Sequence, residues 1–155
     1  MATSLPPLGE IQRQRLLVRG IVQGVGFRPF VYALALRLGL SGFVGNSSSG
    51  MFIEIEGRPD ALDAFGACLR TQAPPLALIE SVDMSALPAR GDMAFVIVDS
   101  TAQPGASTPV SPDMCICDDC LRELFDPGNR RYRYPFINCT NCGPRFTIIQ
   151  DVPYD

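Results

Sequence analysis

The most informative absence from this 155-residue sequence is histidine, of which there is none. Its absence excludes serine–histidine and cysteine–histidine catalytic pairs, histidine general bases and histidine metal ligands. Lysine is absent too, so all thirteen basic residues are arginines. Any chemistry in this chain must therefore use backbone amides, arginine, side-chain amides, carboxylates or thiols.

Long apolar runs and sorting signals are also missing. No apolar run approaches the roughly 18 residues that a membrane-spanning helix requires. Residues 1–7 lack the basic start and the apolar stretch of a secretory signal peptide. The apolar fraction of 46% is nonetheless large enough for a folded core. We therefore expect a cytoplasmic globular protein without membrane association.

Charge is unevenly distributed within the net charge of −3. Residues 1–40 carry five arginines against one acid, residues 41–112 three against eight, and residues 113–155 five against seven. The basic first segment contains a glycine-rich run, which suits an anionic ligand. The overall acidity argues against a dedicated nucleic-acid binder.

Three glycines lie within seven residues of the run Gly20–Arg28. Glycine permits positive φ, and successive N–H groups ahead of a helix can form a concavity for an anion. Arg28 adds a planar fork that matches phosphate oxygens. The alternative is a turn that only closes a strand onto a helix. We expect the phosphate contacts to come from Val22, Gln23, Gly24, Val25, Gly26, Phe27 and Arg28.

Hydrophobic patterning predicts five strands, at residues 15–21, 41–46, 51–57, near 78–84 and near 93–98. In the third, Met51, Ile53 and Ile55 alternate with Phe52, Glu54 and Glu56. The linker 47–50, three serines and a glycine, is typical of a hairpin between the second and third strands.

Two helices are predicted between these strands. The first has the apolar face Val31, Leu34, Ala35 and Leu38, with Pro29 in its first turn and Gly39 at its end. The second begins at Pro59 and has the face Leu62, Phe65, Gly66 and Leu69. The order β-α-β-β-α-β plus one strand predicts an α+β, ferredoxin-like fold, with both helices on one face of an antiparallel sheet.

Four cysteines have the spacing of a zinc site. The pairs Cys117/Cys120 and Cys139/Cys142 each enclose two residues and are separated by eighteen. Four thiolates complete a tetrahedral site with no open position, so we expect structural zinc in a small zinc-ribbon-like module. Disulfides or a redox CxxC are the alternative, which the paired spacing and a cytosolic environment disfavour.

The remaining cysteines and one basic segment have weaker signals. Cys68, in the second helix, is expected to be a small buried apolar residue, and Cys115 a bystander or an alternative ligand. Residues 130–136 interleave arginines with aromatic rings, which could bind nucleic acid. The acidic surroundings favour a solvated arginine face with aromatics packing the zinc module, or a contact with another protein domain.

The domain organisation follows from these elements. Segment 100–112 is rich in proline, serine and threonine, as is typical of a linker. We expect an N-terminal tail at 1–12, the α+β domain at 13–99, the linker at 100–112 and the zinc module at 113–155.

The run Gly20–Arg28, its continuation Pro29-Phe30-Val31 and the strand order resemble the acylphosphatase family. Acylphosphatases hydrolyse carboxyl-phosphate anhydrides without metal or histidine. Loop amides and one arginine hold the phosphate, and an asparagine on a following strand positions water. The resemblance implies that Arg28 is this arginine and Asn46 this asparagine. Taken alone, Asn46 before three serines would be a turn residue.

An acylphosphatase-like domain followed by the cysteine quartet, with segment 129–147 around the second pair, resembles the HypF family. HypF proteins are carbamoyltransferases of nickel–iron hydrogenase maturation. The resemblance extends from about residue 13 and implies carbamoyl phosphate as substrate. It further implies that ATP is used by domains outside this chain, and that the partner is HypE, whose C-terminal cysteine accepts the carbamoyl group. We expect an N-terminal fragment, truncated within the longer protein.

The leading functional prediction is hydrolysis of the carboxyl-phosphate bond of carbamoyl phosphate or another acyl phosphate, as the first step of cyanide ligand synthesis. Two alternatives stay open. One is a non-catalytic phosphate-binding module, which would bind without turnover. The other is a zinc-ribbon interaction module for protein or RNA that uses residues 130–134.

Overall fold

The computed structural model describes residues 10–100 and 116–137. Five strands and three helices occupy these ranges, and the ferredoxin-like α+β prediction is confirmed. In chain order the elements are β1 (Gln12–Ile21), α1 (Phe27–Arg37), β2 (Ser41–Ser47), β3 (Gly50–Gly57), α2 (Pro59–Thr71), β4 (Leu78–Leu87), β5 (Phe95–Ile97) and α3 (Asp118–Phe125).

The strands form one sheet in the order β4-β1-β3-β2-β5. Each neighbouring pair is antiparallel except β2 and β5, which are parallel. The prediction of a wholly antiparallel sheet was therefore wrong at one edge. The reason is that the connection after β4 carries the chain to the opposite edge of the sheet, so that β5 enters in the direction of β2.

The hydrophobic core lies between one face of the sheet and helices α1 and α2. Strand residues such as Leu16, Val44 and Ile53 pack against helix residues such as Leu34 and Phe65, and all of them are buried. The predicted helix faces are largely confirmed, but Leu38 and Gly66 are only partly buried.

Helix α1 ends at a glycine, as predicted. Gly39 has φ 64°, and its N–H donates to the carbonyl of Leu36, while the N–H of Leu40 donates to that of Ala35. This pair of bonds is the Schellman motif, which satisfies the last carbonyls of a helix and turns the chain sharply. It directs the chain into β2.

The hairpin between β2 and β3 is tighter than predicted. Ser47 pairs with Gly50, so only Ser48 and Ser49 form the turn. Gly50 has φ 134°, and a Cβ there would lie 2.2 Å from the carbonyl oxygen of Val18 in β1. Only glycine can therefore occupy this position, where the turn meets the end of β1.

The sheet face away from the helices is not simply solvated. Glu54 and Glu56 alternate with the core isoleucines of β3, as the pattern predicts, yet both are buried. Arg13 of β1 bonds to both carboxylates. The connection 88–94 crosses there, and the N–H groups of Arg90 and Gly91 donate to Glu56 at 2.7 Å.

Several sequence predictions fall wholly or partly outside the described residues. These are the tail, of which only residues 10–12 are described, the linker beyond Ser100, and Cys115, Cys139 and Cys142. Within residues 10–100 and 116–137, no helix combines the length and apolar character needed to cross a membrane.

Candidate active site

The predicted site residues converge at one end of the inner strands of the sheet. Strands β1 and β2 end there and β3 begins there, so the glycine loop after β1 and Asn46 near the end of β2 lie at the same end of the sheet. Met51 of β3 pairs with Val18 on one side and Asn46 on the other. Because neighbouring strands lie about 4.8 Å apart, Asn46 is about 10 Å from β1 across the sheet.

The glycines of the loop adopt the backbone conformations that only glycine tolerates well. Gly20 has φ 126°, Gly24 φ 71° and Gly26 φ 77°. A Cβ on Gly20 would lie 2.0 Å from the carbonyl oxygen of Leu78 in β4. Gly26 is the N-cap of α1, so the loop leads directly into the positive end of a helix.

Core packing holds the loop from beneath. Val22, Val25 and Phe27 are all buried in the hydrophobic core, and the rings of Phe27 and Phe30 meet edge to face at 5.6 Å. The N–H of Val22 donates to the carbonyl of Gly20 at 3.1 Å, so this amide is engaged within the loop itself. Such anchoring is what a preorganised set of donors requires.

Arg28 occupies the first turn of α1 and is half-buried. No acidic residue lies in this turn, so no carboxylate there opposes the positive end of the helix dipole. Pro29, which has no N–H, stands next in the turn without loss of a donor. The helix start is therefore an electropositive end suited to an anion.

Asn46 is 1% exposed and is followed by two further buried polar residues, Ser47 and Ser48. Buried polar side chains are expected to be hydrogen-bonded or functional, and the hydroxyl of Ser47 donates to the carbonyl of Gly50. Asn46 lies near the end of β2, at the same end of the sheet as the glycine loop.

Gln23 is the residue that sequence reasoning undervalued. It was predicted only as a source of a backbone N–H, but its side chain is 3% exposed and bonds to the β2–β3 turn. A polar residue between valine and glycine in the loop was the available signal, and it did not reveal the bonding partners.

The first cysteine pair lies at the start of α3. Cys117 is the N-cap, and Cys120, in the first turn, is fully buried. Both are thiols rather than half-cystines. Residues three apart at a helix start lie on one side of it, so the donor set suits two of the four bonds of a zinc ion.

The other sequence signals have mixed outcomes. Cys68 is half-buried rather than buried, and its sulfur accepts a hydrogen bond from Gln72 at 3.4 Å. Tyr132, Tyr134 and Phe136 are 40, 54 and 69% exposed, so these rings do not pack a core within residues 116–137. Arg131 pairs with Glu123 at 2.8 Å.

Comparison with known proteins settles the family. Residues 14–97, more than half of the chain, match the family model for acylphosphatase. The chain belongs to the acylphosphatase family. Residues 116–149 match a second family model, described as the HypF finger. An acylphosphatase from Aeropyrum pernix is 43% identical over 82 residues, which are 52% of this chain and 80% of that protein.

The predicted resemblance to HypF proteins is confirmed as well. The carbamoyltransferase HypF of Rhizobium leguminosarum bv. viciae is 54% identical over 145 residues, which are 94% of this chain and 19% of that protein. The crystal structure of full-length HypF in its phosphate- and nucleotide-bound form superposes with a TM-score of 0.88 and 49% identity, and covers 99% of this chain and 20% of that one. This member of the acylphosphatase family therefore spans about one fifth of the length of these HypF relatives.

Proposed function

We propose that the chain hydrolyses the carboxyl–phosphate bond of an acyl phosphate, and that its substrate is carbamoyl phosphate. The observation that carries this proposal is the meeting of the glycine loop with the end of β2, the strand that bears Asn46, in a domain that matches the acylphosphatase family. The 54% identity to a protein named carbamoyltransferase HypF favours the carbamoyl substrate over other acyl phosphates.

In this proposal the phosphoryl group is held by the loop amides and Arg28. These donors stabilise the negative charge that develops on the phosphoryl oxygens as the bond breaks. The N–H groups of residues 23–28 supply these donors. Val22, predicted as a further donor, is left out because its N–H bonds to the carbonyl of Gly20, and Pro29, which follows the loop, has no N–H. No histidine, metal or covalent intermediate is needed.

Asn46 orients the attacking water, whose hydrogen its amide oxygen accepts. The water oxygen forms a bond to phosphorus in line with the breaking P–O bond, and the carboxyl oxygen leaves with the electron pair. An amide is a poor base, so the water proton passes to the phosphate. The products are dihydrogen phosphate and carbamate, which balances atoms and charge for carbamoyl phosphate.

The finger would serve as a structural zinc module. Cys117, Cys120, Cys139 and Cys142 supply four thiolates, which close the coordination shell and leave no position for a reacting water. We further propose the organisation stated above, with the acylphosphatase-like domain at 13–99, the linker at 100–112 and the zinc module at 113–155.

Within a longer HypF protein, carbamate formed here would pass to an ATP-dependent domain. The carbamoyl group would then reach the C-terminal cysteine of HypE and become the cyanide ligand of a nickel–iron hydrogenase. We place this reaction in the cytoplasm.

The test measures phosphate release by the purified chain from carbamoyl phosphate, acetyl phosphate and p-nitrophenyl phosphate, a phosphate monoester. The proposal expects turnover of both acyl phosphates, preference for carbamoyl phosphate, and no turnover of the monoester. Replacement of Asn46 by alanine should lower kcat at least about 100-fold, as loss of a positioning group does. Phosphate binding without turnover in the wild type would support the non-catalytic alternative instead.

A further inference from the structure

The side chain of Gln23 joins the two halves of the candidate site. Its Nε2 donates to the carbonyl oxygen of Ser47 at 2.8 Å and to that of Gly50 at 3.0 Å. Ser47 is the last residue of β2 and Gly50 the first of β3, so one amide group binds both ends of the turn. Gln23 itself belongs to the loop that would hold the phosphate.

A carboxamide is well matched to this task. The NH₂ group has two hydrogens in one plane, so it can serve two carbonyl oxygens at once without adding a charge to a buried place. Lysine or arginine would bring a charge, while methionine or leucine would leave both carbonyls without these donors. At 3% exposure, water cannot readily replace the bonds.

The two Gln23 bonds fix the separation between the glycine loop and the β2–β3 turn, which strand pairing alone does not set. Asn46 precedes Ser47 directly, and its position relative to β1 is set by the sheet. The loop after Ile21 has no ladder partner of its own, and the Gln23 amide bonds it directly to the turn. Gly50 in turn abuts the carbonyl of Val18, where any Cβ would clash. The turn therefore packs against β1 at Gly50 and is bonded to the glycine loop through Gln23.

We propose that Gln23 is a positioning residue that sets the separation between the phosphate-binding loop and Asn46. This inference rests on the proposed function. The loop holds the phosphoryl group and Asn46 holds the water, so the Gln23 amide determines how far the water stands from phosphorus. Displacement of a reacting group by about 1 Å can cost roughly 100-fold in rate.

The proposal predicts a separation of kcat from binding. Phosphate affinity depends on the loop amides and Arg28, whereas the rate also depends on where Asn46 places the water. Replacing Gln23 by methionine, which has similar length and no donor, should lower kcat for carbamoyl phosphate at least about 10-fold. The dissociation constant of inorganic phosphate should change less than about threefold.

The matched control is Gln14→Met. Gln14 lies on the helix-facing side of β1 with Leu16 and Val18, and it pairs across the sheet with Ile55, away from the turn. Its amide oxygen is buried without a hydrogen-bond partner among the residues that the structure describes. The control makes the same substitution at a glutamine outside the loop and the turn, so kcat should stay within twofold of the wild type.

Three results would overturn the inference. In Gln23→Met, kcat and phosphate affinity could fall in parallel, which would make Gln23 a general support of the loop. Both could stay unchanged. If Gln23→Met does not fold, the same measurement is made on Gln23→Glu, which is isosteric but lacks the two N–H donors. Full kcat in Gln23→Glu would refute the role of Gln23.

Failure of the proposed function itself is distinguishable. If the wild type releases no phosphate from any acyl phosphate, the hydrolase proposal fails, and the role of Gln23 is decided by NMR of the phosphate-bound protein. The backbone amide resonances of residues 46–50 should then shift in Gln23→Met and not in Gln14→Met. Unchanged resonances would refute the positioning role.

Discussion

Arg13 carries a positive charge into a part of the sheet that solvent does not reach. Its guanidinium group bonds to Glu54 at 2.8 Å and to Glu56 at 3.0 Å, and it also contacts Asp92. Such a group is costly to desolvate, and its removal is costlier still because the carboxylates stay buried. We infer that this ion-pair cluster stabilises the packing of segment 88–94 on the sheet face opposite the helices.

The corresponding prediction concerns Arg13→Met. The change leaves Glu56 buried without its cation, and Glu54 with only a 3.6 Å contact to half-exposed Arg15. We expect the free energy of unfolding at pH 7 to fall by about 3–5 kcal/mol, the usual cost of breaking a buried ion pair from one side. Urea unfolding followed by circular dichroism measures it.

The matched control is Arg19→Met on the same strand. Arg19 pairs with Asp83 at 2.6 Å, but the two side chains are 51 and 58% exposed. An exposed pair contributes at most about 1 kcal/mol, so this variant should lose no more than that. Equal losses in the two variants would contradict the role given to the buried cluster.

Some of these residues are predictable from the sequence and others are not. The resemblance pointed to Arg28, which follows the end of β1, and Asn46, near the end of β2, and both lie at the same end of the sheet. The hydrogen bonds of the Gln23 side chain and the burial of Arg13 could not be predicted from the sequence. Arginine and glutamate on alternate strand positions have the same pattern whether water or a crossing segment covers them, and only the path of residues 88–94 decides which.

The connection 88–94 is the element that converts a four-stranded motif into this five-stranded sheet. It leaves β4 at one edge, crosses the face that carries Glu56, and enters β5 at the other edge. Its attachment includes the two N–H groups, from Arg90 and Gly91, on the Glu56 carboxylate, and the bond from Arg13 to Asp92. Gly91 has φ 77°, which permits the turn that aims both donors at one side chain.

This attachment is expected to depend on pH. The N–H of Arg90 first, then the Arg13 guanidinium and the N–H of Gly91, hold the pKa of Glu56 below its usual value, against the opposing effect of burial. A carboxyl with a lowered folded-state pKa contributes stability above its unfolded pKa of about 4.3. That contribution is lost as pH falls through the folded value.

Glu56→Gln tests this dependence. The free energy of unfolding of the wild type should fall as pH is lowered from about 5 to 3, and the variant should be less stable at pH 7 but show a shallower fall. Urea titrations at several pH values measure both slopes. Hydrogen exchange at the Arg90 and Gly91 amides should accelerate in the variant. Parallel pH slopes in the two proteins would contradict this account.

Element types were predictable, and their lengths were less so. Periodic apolar faces and proline or glycine at the ends identified both long helices. Strand β1 begins at Gln12 rather than residue 15, and β4 runs to Leu87 rather than residue 84. Backbone pairing along the ladder extends these strands through residues such as Arg13 and Ser85, whose side chains give no apolar signal.

The whole molecule joins two kinds of stabilisation. Residues 12–97 fold around an apolar core, whereas in residues 116–137 only Cys120 and Ile137 are buried apolar side chains. The small number of buried apolar side chains in residues 116–137 is consistent with our proposal that zinc supplies much of the folding energy of the zinc module. The candidate site is built from residues of the first part alone.

Removal of zinc should therefore destabilise the zinc module without affecting the activity of the acylphosphatase-like domain. After treatment of the full chain with a strong chelator, we expect kcat/KM for carbamoyl phosphate to stay within about twofold, because the candidate site contains none of the four proposed zinc ligands. Trypsin cleavage at Arg130, Arg131 and Arg133 should accelerate, since these half- or fully exposed residues belong to the finger. Loss of turnover together with zinc would contradict a purely structural metal.

The absence of histidine from the entire chain gives the central claim its sharpest form. If backbone amides and one arginine perform the reaction, Arg28→Ala should lower the rate of phosphate release from carbamoyl phosphate about 100-fold or more. The control is Arg37→Ala, at the other end of α1, where the side chain is exposed and bonds to Gln72 at 2.6 Å. The account predicts that Arg37→Ala keeps the wild-type rate, and an Arg28→Ala protein that releases phosphate as fast as the wild type would contradict it.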